Sequence, residues 1–385
     1  MNAYLDYNAT SPIDPEVFEA MKPYLTEYFG NASSFHQKGQ AARNAIDAAR
    51  EIIAAELGVE PGDIFFTSGG TESDNLAVRG AVMARMAERK HLAVSSIEHP
   101  AVLDTAKHLE RRRCPVSYVP AGMDGLIKLE ELEKAVTDQT ALVSLMHVNN
   151  ETGVIQPIEE AAKIAHAKGA FFHVDAVQSF GKLPVHPEKI GADLLTVSAH
   201  KICGPKGAGA LYIRKGVKIE ALLHGGHQEK NVRPGTENVA AIVGFGKAVE
   251  LCRKKGKEES ARVGKLRDRF EQDLFKAISN IHLNGDPQKR VYNTLNVSFD
   301  GLDGETLLMN LDLKGICVST GSACTAGSVE PSHVLLAMGL TEKRARSAVR
   351  FSLGRLTTEQ EIDHTISVVP DIVERLRKAS TERTR

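Results

Sequence analysis

Leu194-Leu195-Thr196-Val197-Ser198-Ala199-His200-Lys201 carries an apolar run straight into a histidine and a lysine. The run reads as a buried strand, so Lys201 emerges where the strand ends and a loop begins. Runs of the same kind recur at 64–67, 91–95, 116–119, 141–146, 171–175 and 210–213. Helical spacing fills the gaps: Ala42, Ile46, Ala49, Ile53 and Leu57 share one face and stop at Gly58, and residues 72–90 continue the pattern. Strand and helix in alternation predict an α/β fold, a mostly parallel sheet covered by helices on both faces.

A long charge-rich helical stretch over about 238–278 breaks this rhythm. Beyond it come a strand at 294–299, a helix from Gly304, a loop around Cys324, a helix from Pro331, a strand at 348–352 and a closing helix from Thr358. That mixture predicts a smaller α+β domain. At 385 residues the chain exceeds what one core usually serves. The expected division is a large domain over 13–255 and a small one made of 1–12 with 256–385, the tail from Lys378 frayed.

Charge is balanced, 48 Lys+Arg against 49 Asp+Glu, with no single-sign block beyond Arg111-Arg112-Arg113. Nucleic acid and membrane surfaces are therefore poor partners. The first residues have no basic flank and apolar core for export, and no apolar run approaches a membrane span, so the expected location is the cytoplasm. Five cysteines without regular spacing argue against a disulfide framework and against a Cys-x-x-Cys zinc site. Cys114, Cys252 and Cys317 read as buried small hydrophobes, and Cys203 as a packing residue.

Ligands of such sheets bind beyond the carboxyl ends of the strands. Ser68-Gly69-Gly70-Thr71-Glu72 follows the 64–67 strand and opens a helix, an arrangement suited to a phosphate; taken alone it reads better as an ordinary turn capped by Thr71. Asp175 ends the 171–175 strand, where a carboxylate needs a cation or caps the next helix. Pyridoxal 5′-phosphate requires a lysine, a carboxylate at its ring nitrogen and a phosphate cradle, and the chain offers all three at predicted strand ends. Cys324, set among Gly321, Ser322, Ala323, Thr325, Ala326 and Gly327, is a thiol among turn-forming residues rather than in a packed element.

With these segments together, the chain resembles the NifS/IscS-type cysteine desulfurases of the fold-type I pyridoxal-phosphate enzymes. The resemblance runs from Tyr4-Leu5-Asp6-Tyr7-Asn8-Ala9-Thr10 through Asn149-Asn150-Glu151-Thr152-Gly153 to Arg350-Phe351-Ser352-Leu353-Gly354-Arg355. It implies that Lys201 binds the cofactor covalently and later shuttles the substrate Cα proton. Asp175 then faces the pyridine nitrogen, Gln178 the phenolic oxygen, and His99 stacks on the ring as general acid–base, its ordinary pKa of about 6.5 suiting neutral pH. Gly70, Thr71, Ser198 and His200 hold the phosphate. Arg350 takes the substrate carboxylate, assisted by Asn150. Thr236, in Arg233-Pro234-Gly235-Thr236, reaches the neighbouring subunit's phosphate, which implies a homodimer.

Cys324 separates the activities open to this fold. Desulfuration needs a nucleophile that takes sulfur from L-cysteine and carries it away, leaving L-alanine and a Cys324 persulfide. A protein acceptor follows: an iron–sulfur scaffold, a tRNA-thiolating enzyme or a nitrogenase cluster assembly. The alternatives are a selenocysteine lyase, an aminotransferase, or a non-enzymatic sulfur-relay scaffold, the last opposed by the presence of Lys201, His99 and Cys324 together.

Overall fold

The computed structural model describes residues 2–320 and 330–383, the last four by backbone alone. Its strands are β1 Ala3–Tyr4, β2 Ile64–Thr67, β3 His91–Ser95, β4 Val116–Val119, β5 Thr140–Met146, β6 Phe171–Asp175, β7 Leu194–Ser198, β8 Gly209–Ile213, β9 Ile281–Leu283, β10 Thr294–Phe299, β11 Ile316–Cys317 and β12 Ala348–Ser352. Seven form one sheet in the order β2-β8-β7-β6-β5-β3-β4. From β4 to β7 the pairings are parallel, while β8 is antiparallel to both β7 and β2. β2 therefore points the same way as β7, and every strand of this sheet except β8 ends on one edge. Continuous burial along β5, β6 and β7 explains their unbroken apolar runs.

The chain leaves β3 outward to β4 and returns on the other side of β3 to build β5. That reversal opens a crevice at the carboxyl edge, where a sheet of this kind takes its ligand. The helix Gln37–Leu57 stops at Gly58, whose φ of 71° is the left-handed cap that glycine adopts without strain. The helix Gly70–Arg85 ends earlier than its sequence pattern suggested. Its cap is Gly69, not Thr71, which lies inside the first turn, and Glu72 Oε2 accepts from the Ser68 N–H at 2.8 Å.

Ile46, Ile53, Phe66, Phe172 and Val197 form a core on one face of the large sheet. Leu76, Val82, Leu92, Val102 and Leu142 cover the other. A separate core gathers Leu5, Phe270, Val297, Phe299, Leu307 and Phe351 around the antiparallel sheet β12-β10-β9. The helix Val239–Ala277 joins the cores, giving Phe245 and Val249 to the first and Val263, Phe270 and Leu274 to the last. Each buried phenylalanine contributes about 1.5–3 kcal/mol, so this helix is firmly held at both ends.

β1 pairs with β11, and the Tyr7 N–H reaches the Ser352 carbonyl at 3.1 Å, which lays residues 6–10 across the carboxyl edge of the large sheet. Cys114 and Cys203 are buried as expected, but Cys252, at the margin of the first core, and Cys317, on the short strand β11, keep intermediate exposure. The expected helix from Pro331 begins at His333, capped by Ser332. Among the described residues no helix is long and apolar enough to cross a membrane.

Candidate active site

A cavity of about 300 Å³ opens at the carboxyl edge, walled by loops that follow β2, β3, β5, β6 and β7. Gly70 begins the helix after β2, and a Cβ there would stand 3.0 Å from Val177 Cγ2. The free N–H groups of that helix end, with Thr71 beside them, make a cradle for an anion. Ser198 Oγ, close behind Gly70, is buried with no hydrogen-bond partner among the described residues. An unmatched buried hydroxyl is costly, and an incoming phosphate oxygen would satisfy it.

Asp175 ends β6 in register with Met146 and Thr196. Its Oδ1 accepts from the Val177 N–H at 2.9 Å, so it closes a turn rather than capping a helix. Burial pushes its pKa up to about 6, against the lowering pull of the Val177 hydrogen bond and of Lys201. A cation brought against it would reverse that shift.

Lys201 follows β7 on a single 3-10 turn. Its Nζ donates to the Asn8 carbonyl at 2.5 Å and the Ala9 carbonyl at 2.7 Å. The same N-terminal segment pins its neighbour: His200 Nδ1 lies 3.2 Å from Thr10 Oγ1, and Ser11 Oγ donates to the His200 carbonyl at 2.6 Å. Gln178 Nε2 also reaches the Asn8 carbonyl, at 2.9 Å.

His99 caps the helix Pro100–Arg111, accepting from the Ala101 N–H at 3.1 Å. Burial, with Lys201 and His333 nearby, pushes its pKa down to about 4. The ordinary imidazole value expected from sequence does not hold there, and at neutral pH the ring is uncharged. His200 goes down to about 3 for the same leading reason.

Arg350 is buried on β12, facing the cavity across from the large sheet. It donates to the Asn150 carbonyl at 3.0 Å and to Asp6 Oδ1 at 2.7 Å. Its backbone pairs with Ser319, immediately before the segment that holds Cys324. After that segment, Ser332 Oγ donates to Glu151 Oε2 at 2.5 Å. Both flanks of the Cys324 segment are thus tied beside Arg350 and Asn150.

The family model described as Aminotransferase class-V matches residues 3–365. The chain belongs to the class-V aminotransferase family. It is 48% identical over 377 residues to a protein named cysteine desulfurase IscS from Dictyoglomus turgidum (strain DSM 6724 / Z-1310), covering 98% of this chain and 96% of the relative. A solved NifS-like protein superposes with a TM-score of 0.92 at 40% identity, covering 97% of this chain and all of the other (100%). A structure titled SspA in complex with cysteine matches with a TM-score of 0.82 at 38% identity, over 93% of this chain and 100% of that one.

Within this class-V aminotransferase fold, Gly70, Thr71, His99, Asn150, Asp175, Gln178, His200, Lys201 and Arg350 all line one cavity. Ser198 lies just behind it. Thr236 is exposed and lines no part of its own chain's cavity, and Arg233 near it is held by Glu72 at 2.7 Å. Cys324 lies outside the described residues. Reading the sequence alone missed Asp6, the Asn8 and Ala9 carbonyls, and two buried acids. Asp74 lines the cavity, and Glu98 sits next to His99 with its Oε2 unpartnered among the described residues. The polar run Asp6-Tyr7-Asn8-Ala9-Thr10 was the one available signal for the first group.

Proposed function

We propose that the chain is a cysteine desulfurase that uses pyridoxal 5′-phosphate to convert L-cysteine to L-alanine, passing the sulfur through Cys324 to an acceptor protein. The observation that carries this reading is the convergence of Lys201, Asp175 and Arg350 on one cavity, with both flanks of the Cys324 segment fastened to the Arg350 side. The names of its relatives point the same way.

Pyridoxal 5′-phosphate, bound through Lys201, supplies an electron sink that acidifies the substrate Cα. Asp175 would serve as counter-charge for the ring nitrogen, and Gln178, in the same cavity lining, would donate to the phenolic oxygen. Gly70, Thr71, Ser198 and His200 receive the phosphate, and Thr236 from a neighbouring copy completes the cradle in a homodimer. His99, uncharged at neutral pH, covers the ring and accepts or returns protons. Arg350 and Asn150 hold the substrate carboxylate. Lys201 Nζ moves the proton at Cα. The Cys324 thiolate attacks the substrate sulfur, the C–S bond breaks with its electron pair left on the substrate, Cβ takes up a proton to become the methyl group of alanine, and the sulfur remains on Cys324 as a persulfide.

The test is single turnover with cysteine, reading alanine and the mass of the Cys324 peptide. Wild type is expected to yield alanine with a persulfide on that peptide; Cys324→Ala is expected to bind cysteine and yield almost none. Undiminished alanine from Cys324→Ala overturns the sulfur route, and a requirement for an α-keto acid acceptor overturns desulfuration itself.

A further inference from the structure

Lys182 has no role in the chemistry above, yet it is tied to Lys201 through a short chain of hydrogen bonds. Its Nζ donates to Gln178 Oε1 at 3.0 Å. Gln178 Nε2 donates to the Asn8 carbonyl at 2.9 Å, and that carbonyl also receives Lys201 Nζ at 2.5 Å. An amide can serve both neighbours in only one orientation, because its oxygen accepts and its nitrogen donates. Lys182 therefore fixes which face Gln178 shows the cavity.

The two lysines also share a wall. A second cavity of about 40 Å³, room for a water or so, lies next to the first, and Lys201 lines both. Lys182 lines the smaller one with Tyr7, Cys203, Tyr292 and Arg355. The carboxylates in that region are already engaged: Arg355 holds Asp14 at 3.0 Å and Glu259 at 2.8 Å. No carboxylate among the described residues forms an ion pair with Lys182, whose neighbours are the cations Lys201 and Arg350 and the thiols of Cys203 and Cys252, both pushed up in pKa by burial; Lys201 itself also faces the Asp175 carboxyl and the His99 and His200 rings. Burial, then Lys201 and Arg350, push the pKa of Lys182 down to about 7.

We propose that Lys182 is a positioning residue for Lys201: it orients Gln178 at their shared carbonyl and, while it carries its own proton, disfavours the protonated form of Lys201. Two amines so placed hold one proton more readily than two. Lys201 must be uncharged to attack the cofactor carbonyl, and a cationic neighbour is one way a protein keeps a lysine so. This rests on the cofactor role proposed above for Lys201.

The experiment follows pyridoxal phosphate uptake by the full-length chain, read as visible absorbance against pH, in wild type and in Lys182→Met, Lys182→Gln and Lys182→Arg. Lys182→Met and Lys182→Gln are expected to move the midpoint of the uptake rate up by about one pH unit, about tenfold slower uptake below it. Lys182→Arg, which keeps donor and charge, is expected to hold the wild-type midpoint. An unmoved midpoint in Lys182→Met, or in Lys182→Gln where the methionine variant does not fold, overturns the proposal; so does Lys182→Arg shifting as far as they do. A chain that takes up the cofactor normally but makes no alanine from cysteine refutes the desulfurase reading and leaves this comparison standing.

Discussion

Arg350 offers the cleanest separation of substrate binding from cofactor binding. Among the described residues two of its N–H groups are engaged, at the Asn150 carbonyl and Asp6, and its Nε is buried without a partner. The remaining donors can take a carboxylate as a fork. Arg350→Lys keeps the cation and loses the fork. One charge-assisted hydrogen bond contributes about 1.5–3 kcal/mol, so KM for cysteine is expected to rise about 10- to 150-fold.

Arg350→Met also removes the charge opposite Asp6. The Asp6 side chain is 18% exposed, so water relieves part of its loss. The stability cost is then expected to fall below the ~3–5 kcal/mol of breaking a fully buried pair. Steady-state kinetics on cofactor-loaded protein measures the first effect and urea unfolding the second, with visible absorbance confirming that cofactor content is unchanged. A folded, loaded Arg350→Met protein whose KM stays within about twofold of wild type would falsify the anchoring role.

Glu98 and Thr236 supply the other tests. Glu98 Oε1 accepts from Ser95 Oγ at 2.6 Å and the Met146 N–H at 2.8 Å, and burial pushes its pKa up to about 8. The unfolded chain then holds fewer protons than the folded one, so this group costs stability increasingly as pH rises from about 4.5 to about 8; Glu98→Gln should remove that slope, gaining about 2–5 kcal/mol at alkaline relative to acidic pH in urea unfolding, and a profile parallel to wild type sinks the idea. Thr236 is exposed in its own chain. Mixing inactive Thr236→Ala and Lys201→Ala subunits should restore some activity, since one hybrid site carries neither lesion; a fully active monomer by light scattering contradicts the shared site.

What the sequence made legible is what the carboxyl edge of a parallel sheet makes legible. β6 and β7 are buried on both faces, so their apolar runs stand out, and the first reactive side chains after them, Asp175 and Lys201, are delivered to one edge. Cap geometry was not legible: Gly69 adopts φ 151°, a conformation without a side-chain signature, and so Thr71 looked like the cap. Nor was the environment of His99, whose lowered pKa comes from burial first and then from Lys201 and His333, both distant in sequence. Nor was the burial of Glu98, whose carboxyl is closed in by Ser95 and Met146.

Residues 6–10 tie the two ends of the chemistry together, and they do so mainly with backbone atoms. Asp6 holds Arg350, and the Asn8 and Ala9 carbonyls hold Lys201. No pattern of side chains announces a carbonyl, which is why the contacts between Lys201 and a segment nearly two hundred residues earlier escape a reading by motif. An amine bonded to a carbonyl carbon keeps fewer N–H groups than the ammonium it replaces. A Lys201 bonded in that way, as in the function proposed above, would not satisfy both carbonyls as it does here. Gln178 Nε2, already 2.9 Å from the Asn8 carbonyl and braced from behind by Lys182, is the donor in place to keep that carbonyl satisfied.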